Sequence, residues 1–393
     1  MSGPIFQQLL ILMAVVWTVA TLLRRLGLPT VLGELIAGVI IGPAVLGWVH
    51  PNEIIEVLAQ MGIFFLMLHT GVTTEPREFF SALRSSLGVA VVGAAVPFSI
   101  AMGVGLAFGL SIPSAFFVGI VMTATAVVIT LRILRDLGIG QSRMARVVVA
   151  SCMIDGLLTL ILFSMALGIM QNGSADPLFL FGYAIKVFLF FAFVIAVGYF
   201  LYPLFKHPFQ SREGKGFTFI LVLGLAFGLL AEAIGLHIIL GAYLAGLFFE
   251  EKVASRELIQ KVEDRLSGIA YSFLGPIFFI SLGFHINFDT FSGPGLWFAI
   301  VLTVAVALGQ ILSAGGMARL IRFSWLESLK IGVGMCGRAE MAFILASIGL
   351  TMGAIDSQVF STLILTAFLL NMVTLSGLAT ATRVGRATKE AAR

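Results

Sequence analysis

Val147-Val-Val-Ala-Ser-Cys-Met-Ile-Asp-Gly-Leu-Leu-Thr-Leu-Ile-Leu-Phe163 is apolar enough to cross a bilayer, yet it carries one acidic residue, Asp155, and no basic one. An ionised side chain at a bilayer centre costs about 2.5 to 3.5 kcal/mol even on the permissive insertion scale, so such residues face cavities and handle ions or protons. Read outward from Asp155, the chain is 59% hydrophobic and 11% charged, with a mean hydropathy of +1.07. Those values exclude a soluble domain and fit a polytopic membrane protein.

A helix rising 1.5 Å per residue needs about 20 residues to cross a hydrocarbon core of about 30 Å. By that measure thirteen runs qualify, near 5–24, 30–49, 54–71, 86–110, 113–135, 144–170, 178–204, 217–234, 237–250, 267–285, 296–319, 327–350 and 357–380, the ninth being short. Lys and Arg test the count, because they gather in cytoplasmic loops. Of the 24 basic residues, 22 fall in alternate connections, from Arg24 and Arg25 to Arg383, Arg386, Lys389 and Arg393. The opposite connections, such as Pro51-Asn52-Glu53, hold none. The pattern predicts an external N-terminus and a cytoplasmic C-terminus in a bacterial-type inner membrane.

The net charge of +4 comes from this alternation and not from a basic patch, so nucleic-acid binding is not expected. The first run lacks a basic n-region and a small-residue cleavage site and reads as a retained helix. Cys152 and Cys336 both lie in apolar segments and imply neither disulfides nor a metal cluster. His69, His237 and His285 set no metal-ligand spacing.

An odd helix count permits two six-helix halves of opposite orientation around a seventh, linking helix, the inverted-repeat plan of many secondary transporters. The binding site in that plan lies where corresponding helices are interrupted. Runs five and twelve correspond: one carries Thr123-Ala-Thr125 and the other Gly332-Val-Gly-Met-Cys-Gly-Arg-Ala-Glu340. Unwound backbone there would offer carbonyls to a cation and helix ends whose dipoles balance charge.

Ser151, Asp155 and Thr159 recur at i, i+4 and i+8, so they share a helix face. Burial favours the protonated carboxyl of Asp155 and a bound cation favours the carboxylate, so the two compete for one site. The other reading of Asp155 is a protonated carboxyl hydrogen-bonded to a neighbouring helix. Arg338 and Glu340 are two residues apart and share no helical face, so pairing between them would require unwinding. A structural role is the stronger reading for Arg338, and for Glu340 structural and ligand roles stay open. Gln310 reads first as a hydrogen-bonding link between helices. Lys186 has a stem long enough to reach an interface. The mixed-charge segment 250–265 reads as an interfacial helix or a gate.

Four blocks in order, Leu28 to Pro43, Thr123 to Val127, Gly235 to Gly246 and Gly334 to Glu340, resemble those of the monovalent cation/proton antiporter family, second branch. The resemblance spans nearly the whole chain. It implies an all-α fold of thirteen transmembrane helices in two inverted six-helix repeats, with discontinuous helices 5 and 12. It further implies a homodimer, with a dimerisation panel near 5–71 and 217–285, an ion-translocating core near 86–170 and 296–380 that moves like an elevator, and a linker near 178–204. Thr125 and Asp155 face the ion site in such a fold, Ser151 joins them through its shared face, and Thr123, Gly156, Gln310, Arg338 and Glu340 support the core.

The implied partners are Na⁺ or K⁺, H⁺, membrane lipid and a second copy of the chain, with no cofactor, no metal beyond the carried cation and no enzymatic activity. Two departures from the family pattern stand out. Gly156 replaces the second acidic residue of helix 6, and Gln310 stands where electrogenic relatives often have lysine. Both remove charge and predict electroneutral exchange. The competing expectations are a transporter of the same fold for an organic or anionic solute, and a non-transporting sensor or partner subunit.

Overall fold

The computed structural model describes residues 3–25, 30–43, 45–73, 76–140, 142–172, 215–234, 236–247, 256–286 and 293–391, with scattered positions between 182 and 197. The 178–204 linker expectation therefore lies largely outside the described residues, as do positions 250–255 of the suggested gate. Every regular element among the described residues is helical. In chain order they are α1 (Gly3–Arg25), α2 (Thr30–Ile41), α3 (Glu53–Thr73), α4 (Pro76–Ala107), α5 (Ile112–Thr123), α6 (Val127–Asp136) and α7 (Arg143–Asn172). After these come α8 (Lys215–Ala233), α9 (Ile238–Leu247), α10 (Arg256–Ile269), a π-helical turn (Ala270–Leu274), α11 (Gly275–Phe284), α12 (Gly293–Leu320), α13 (Trp325–Gly334), α14 (Glu340–Thr351) and α15 (Ser357–Ala391).

Seven helices among the described residues are long and apolar enough to span a membrane: Glu53–Thr73, Ser86–Ala107, Arg143–Ala166, Gly216–Ala233, Ile259–Phe284, Gly293–Leu320 and Ser357–Val384. Four shorter apolar helices accompany them, two of which, Ile112–Thr123 and Met341–Thr351, are pieces of broken runs.

Two expectations about boundaries need correction. The apolar run 30–49 is not one helix, because α2 ends at Ile41 and the chain turns at Gly42-Pro43. Pro43 has no N–H to continue the ladder, and the chain folds back so that Leu46 N–H bonds the Ile40 carbonyl and Trp48 N–H the Ile41 carbonyl, each at 3.0 Å. The charged segment before 267 is not separate from the span after it: α10 passes through the π-helical turn into α11 without a break. That turn closes with the Gly275 N–H on the Ala270 carbonyl, and His69 of α3 meets Tyr271 edge-on at 5.0 Å.

The chain divides into two compact units, 1–76 with 167–285 and 77–166 with 286–393. In the first, backbones approach closely through small residues. A Cβ at Gly38 of α2 would overlap the Ile280 carbonyl of α11, and one at Gly246 of α9 would overlap the Leu68 carbonyl of α3. Lipid tails are as apolar as leucine, so membrane helices gain stability from such close packing more than from hydrophobic burial.

The second unit holds α4 to α7 and α12 to α15. Val148 of α7, Ile331 and Val333 of α13, Met335, Ala339 and Leu378 of α15 form its centre, all buried. Ser324 caps α13 in a reciprocal box with Glu327, and Ser111 caps α5. Each cap answers donors that a helix start leaves unpaired.

Candidate functional site

Inside the second unit, two helices stop short and their loose ends meet. The chain leaves helical geometry at 124–126, between α5 and α6, and at 335–339, between α13 and α14. Gly332, Gly334 and Gly337 weaken the second helix by about 1 kcal/mol each relative to alanine. No glycine or proline weakens Thr123-Ala-Thr-Ala126, so that break is held open by its partners. The Ala126 N–H donates to the Gly337 carbonyl at 2.9 Å, and the Thr130 hydroxyl donates to the Gly334 carbonyl at 3.0 Å. The positive start of α6 thus meets the negative end of α13.

Arg338 completes the balance. It is fully buried, and its Nε donates to the Met122 carbonyl at 2.9 Å, at the C-terminal end of α5. Its Nη1 donates to the carbonyls of Met335, Cys336 and Gly337 at 2.8, 3.2 and 3.2 Å, just past the end of α13. Its Nη2 donates to Gln310 Oε1 at 2.9 Å. One guanidinium therefore answers the orphan carbonyls and negative dipole ends of two helices at once. Lysine, a point charge with three donors, could not span them.

Gln310 in turn donates from Nε2 to the Gly93 carbonyl of α4 at 3.0 Å, which makes it the link between helices that its sequence context predicts. Thr123 donates to the Gly119 carbonyl of its own helix and supports the end of α5 from within.

Asp155 is fully buried on α7, and its Oδ2 accepts the Thr125 hydroxyl at 3.2 Å. Its Oδ1 has no hydrogen-bond partner among the described residues. A carboxylate offers about four acceptor positions, so one donor leaves it strongly under-coordinated, as a site that takes up a proton or a cation would be. Among the described residues Asp155 takes part in no salt bridge.

The other expected residues fall unevenly around this pair. Ser151 is buried one turn before Asp155, and its hydroxyl donates to the Ser86 carbonyl of α4 at 3.4 Å. Thr159, one turn after, has a buried hydroxyl without a hydrogen-bond partner among the described residues. A Cβ at Gly156 would meet no atom within 4 Å, so open space lies beside Asp155 on the helix. Glu340 opens α14, and its side chain lies outside the described residues.

Sequence reasoning overlooked two contributors. Thr130 stitches the breaks together, and Asn371 of α15 bonds to the backbone of Arg338. An amide in the middle of an apolar span was the available signal for Asn371.

Two broken helices crossing at a buried carboxylate call for comparison with known proteins. The model of the family "Sodium/hydrogen exchanger, transmembrane" matches residues 10–381. The chain belongs to this exchanger family. It is 33% identical over 89% of its length to the Na⁺/H⁺-K⁺ antiporter GerN of Bacillus cereus, of which it covers 89%. It is 28% identical to a Na⁺/H⁺ antiporter of Enterococcus hirae, with 89% of this chain and 91% of that one aligned. In fold, the exchanger resembles the sodium proton antiporter MjNhaP1 of Methanocaldococcus jannaschii, with a TM-score of 0.75 over 96% of both chains at 17% identity. The exchanger is thus a membrane protein of the monovalent cation/proton antiporters, a family of secondary transporters and not of enzymes.

Proposed function

We propose that this exchanger carries Na⁺ or K⁺ in one direction and H⁺ in the other, one for one, with Asp155 as the shared binding group. The observation that carries the reading is the half-satisfied carboxylate: Oδ2 held by Thr125, Oδ1 bare, the whole group buried. A proton or a monovalent cation neutralises it equally, and the empty, charged form is the costly one to move through a low-dielectric barrier. Only loaded forms then reorient, which makes exchange obligatory.

Charge counting supports electroneutrality. Arg338 is committed to helix ends, Gln310 is neutral, and Gly156 contributes no second carboxyl. Thr125 and the unwound carbonyls near it are the natural further oxygen ligands, and the names of the relatives give Na⁺ and K⁺ as the cations to try first.

The mechanism we favour is an elevator movement of a core built on the second unit against a homodimeric, lipid-embedded panel built on the first. The division of the chain at 76–77, 166–167 and 285–286 supports that assignment. The placement of both helix breaks in one unit supports two inverted repeats within a thirteen-helix fold. The alternation of basic loops supports an inner-membrane orientation with the N-terminus outside.

Reconstituted into liposomes, the wild-type protein is expected to move protons when Na⁺ or K⁺ is added outside, and Asp155→Asn, an isosteric neutral change, to abolish that movement while eluting as a folded protein. Proton movement that survives in Asp155→Asn would remove Asp155 from the mechanism. Folded wild type that moves protons with neither cation would remove antiport.

A further inference from the structure

Asn371 is buried near the middle of α15 and spends its side-chain amide on the backbone of a single residue. The Arg338 N–H donates to Asn371 Oδ1 at 3.0 Å, and Asn371 Nδ2 donates to the Arg338 carbonyl at 2.6 Å. Two residues that exchange both backbone bonds in this way are the pairing unit of an antiparallel sheet. Here a side-chain amide takes the place of the second strand.

The pairing meets a need created by the break. Backbone groups of unwound chain at membrane depth lack water and must find partners in the protein. The carbonyls of Met335, Cys336 and Gly337 go to the Arg338 guanidinium, and the N–H and carbonyl of Arg338 itself go to Asn371. Arg338 is therefore held at both ends. Asn371 fixes its backbone, while Met122 and Gln310 fix the tip of its side chain.

Among the described residues, the ionisable groups within electrostatic reach of Arg338 are Asp155, Cys152 and Cys336; the side chain of Glu340, two residues on, lies outside them. Asp155 changes charge in the cycle proposed above, so each unloading increases its pull on the guanidinium. A guanidinium free to swing would pair with the bare carboxylate and compete with the cation.

We propose that Asn371 is the positioning residue that prevents this, pinning the unwound segment to α15 so that Arg338 stays on the ends of α5 and α13 and leaves Asp155 open to cation. The proposal rests on Asp155 as the exchanging group. It concerns a residue that touches neither cation nor proton.

The test uses the full chain in liposomes with Asn371→Ala and Asn371→Asp. Its two readouts are the apparent KM for Na⁺ or K⁺ across a pH series, and the rates at which a small maleimide alkylates Cys336 and Cys152, separated by peptide mass. Cys336 lies buried in the break and Cys152 on α7, and the chain has no other cysteine, so one reports the segment and the other serves as internal control. Asn371→Ala is expected to raise KM about tenfold with maximal rate retained, in line with the loss of two neutral hydrogen bonds to the backbone of Arg338. It should also speed Cys336 alkylation without changing Cys152.

Asn371→Asp is the sharper variant. Its protonated carboxyl has one donor and one acceptor and can restore both bonds, whereas the carboxylate only accepts and faces the Arg338 carbonyl. The ratio of its KM to that of wild type at the same pH should be near one at the acid end of the series and rise steeply toward the alkaline end. Unchanged KM and alkylation in both variants would overturn the proposal, as would equal acceleration of Cys336 and Cys152, which marks general loosening. If Asn371→Ala does not fold, the pH profile of Asn371→Asp decides. If folded wild type shows no exchange, the antiport reading fails, and selective Cys336 exposure still decides the clamp.

Discussion

At the scale of single residues, the site sets an under-coordinated carboxyl beside a fully occupied guanidinium, and the proposed exchange gives the changing charge to the first. Asp155 has a single hydrogen-bond donor, Thr125, whereas Arg338 has every branch of its guanidinium occupied. Thr125→Val removes a hydroxyl proposed to ligate the cation, which should weaken cation binding by about 1.5 to 3 kcal/mol, the order of a hydroxyl's interaction with a charged group. That corresponds to roughly a ten- to hundredfold rise in the apparent KM for cation, measured as proton release against cation concentration, with Thr125→Ser near wild type. Gly156 offers the converse experiment. A Cβ at the position meets no atom within 4 Å, so Gly156→Asp should be accommodated, add a second carboxylate, and make transport respond to membrane potential.

Asp155 was legible because an ionisable residue in an apolar run has few bland explanations. The partners of Arg338 were not, since they are mostly backbone carbonyls and carbonyls have no sequence signature. Ser151 shows the limit of spacing: i, i+4 places it on the face of Asp155 but does not say which neighbour its hydroxyl will donate to, here the Ser86 carbonyl.

At the scale of elements, the two breaks hold each other open. The Ala126 N–H on the Gly337 carbonyl and the Thr130 hydroxyl on the Gly334 carbonyl return to each helix what interruption removed. Close approach of α13 to α12 is part of the same arrangement, because Gly332 packs directly on the backbone of Ile311. Gly332→Ala gains about 1 kcal/mol of helix propensity. It also drives a methyl group to within 2.7 to 2.8 Å of Ile311 backbone atoms. Overpacking costs typically about 1 to 3 kcal/mol, and backbone cannot rotate away, so the steric cost should prevail and lower the melting midpoint in detergent by a few degrees.

The location of the second break was readable from its glycines. The first was readable only by its correspondence to the second, because Thr123-Ala-Thr is a poor but permissible helix and tertiary bonds decide its state. Hydropathy also blurred two boundaries. It carried the second run past Gly42-Pro43, where the missing Pro43 N–H ends α2, and it cut α10 from α11, where an amphipathic helix continues unbroken into an apolar one.

At the scale of the whole molecule, the fold is a balance sheet of charge at membrane depth. Arg338 is matched to helix ends, Gln310 leaves the balance unchanged, and under the proposed exchange Asp155 is the group whose neutralisation the carried ion supplies. The proposed one-for-one exchange rests on that count. The most direct test is the null point of proton flux in liposomes holding opposed pH and cation gradients, read at several imposed membrane potentials. The account predicts that flux stops when the cation and proton ratios are equal, at every potential. A null point that moves with potential would contradict one-for-one exchange at a single carboxylate.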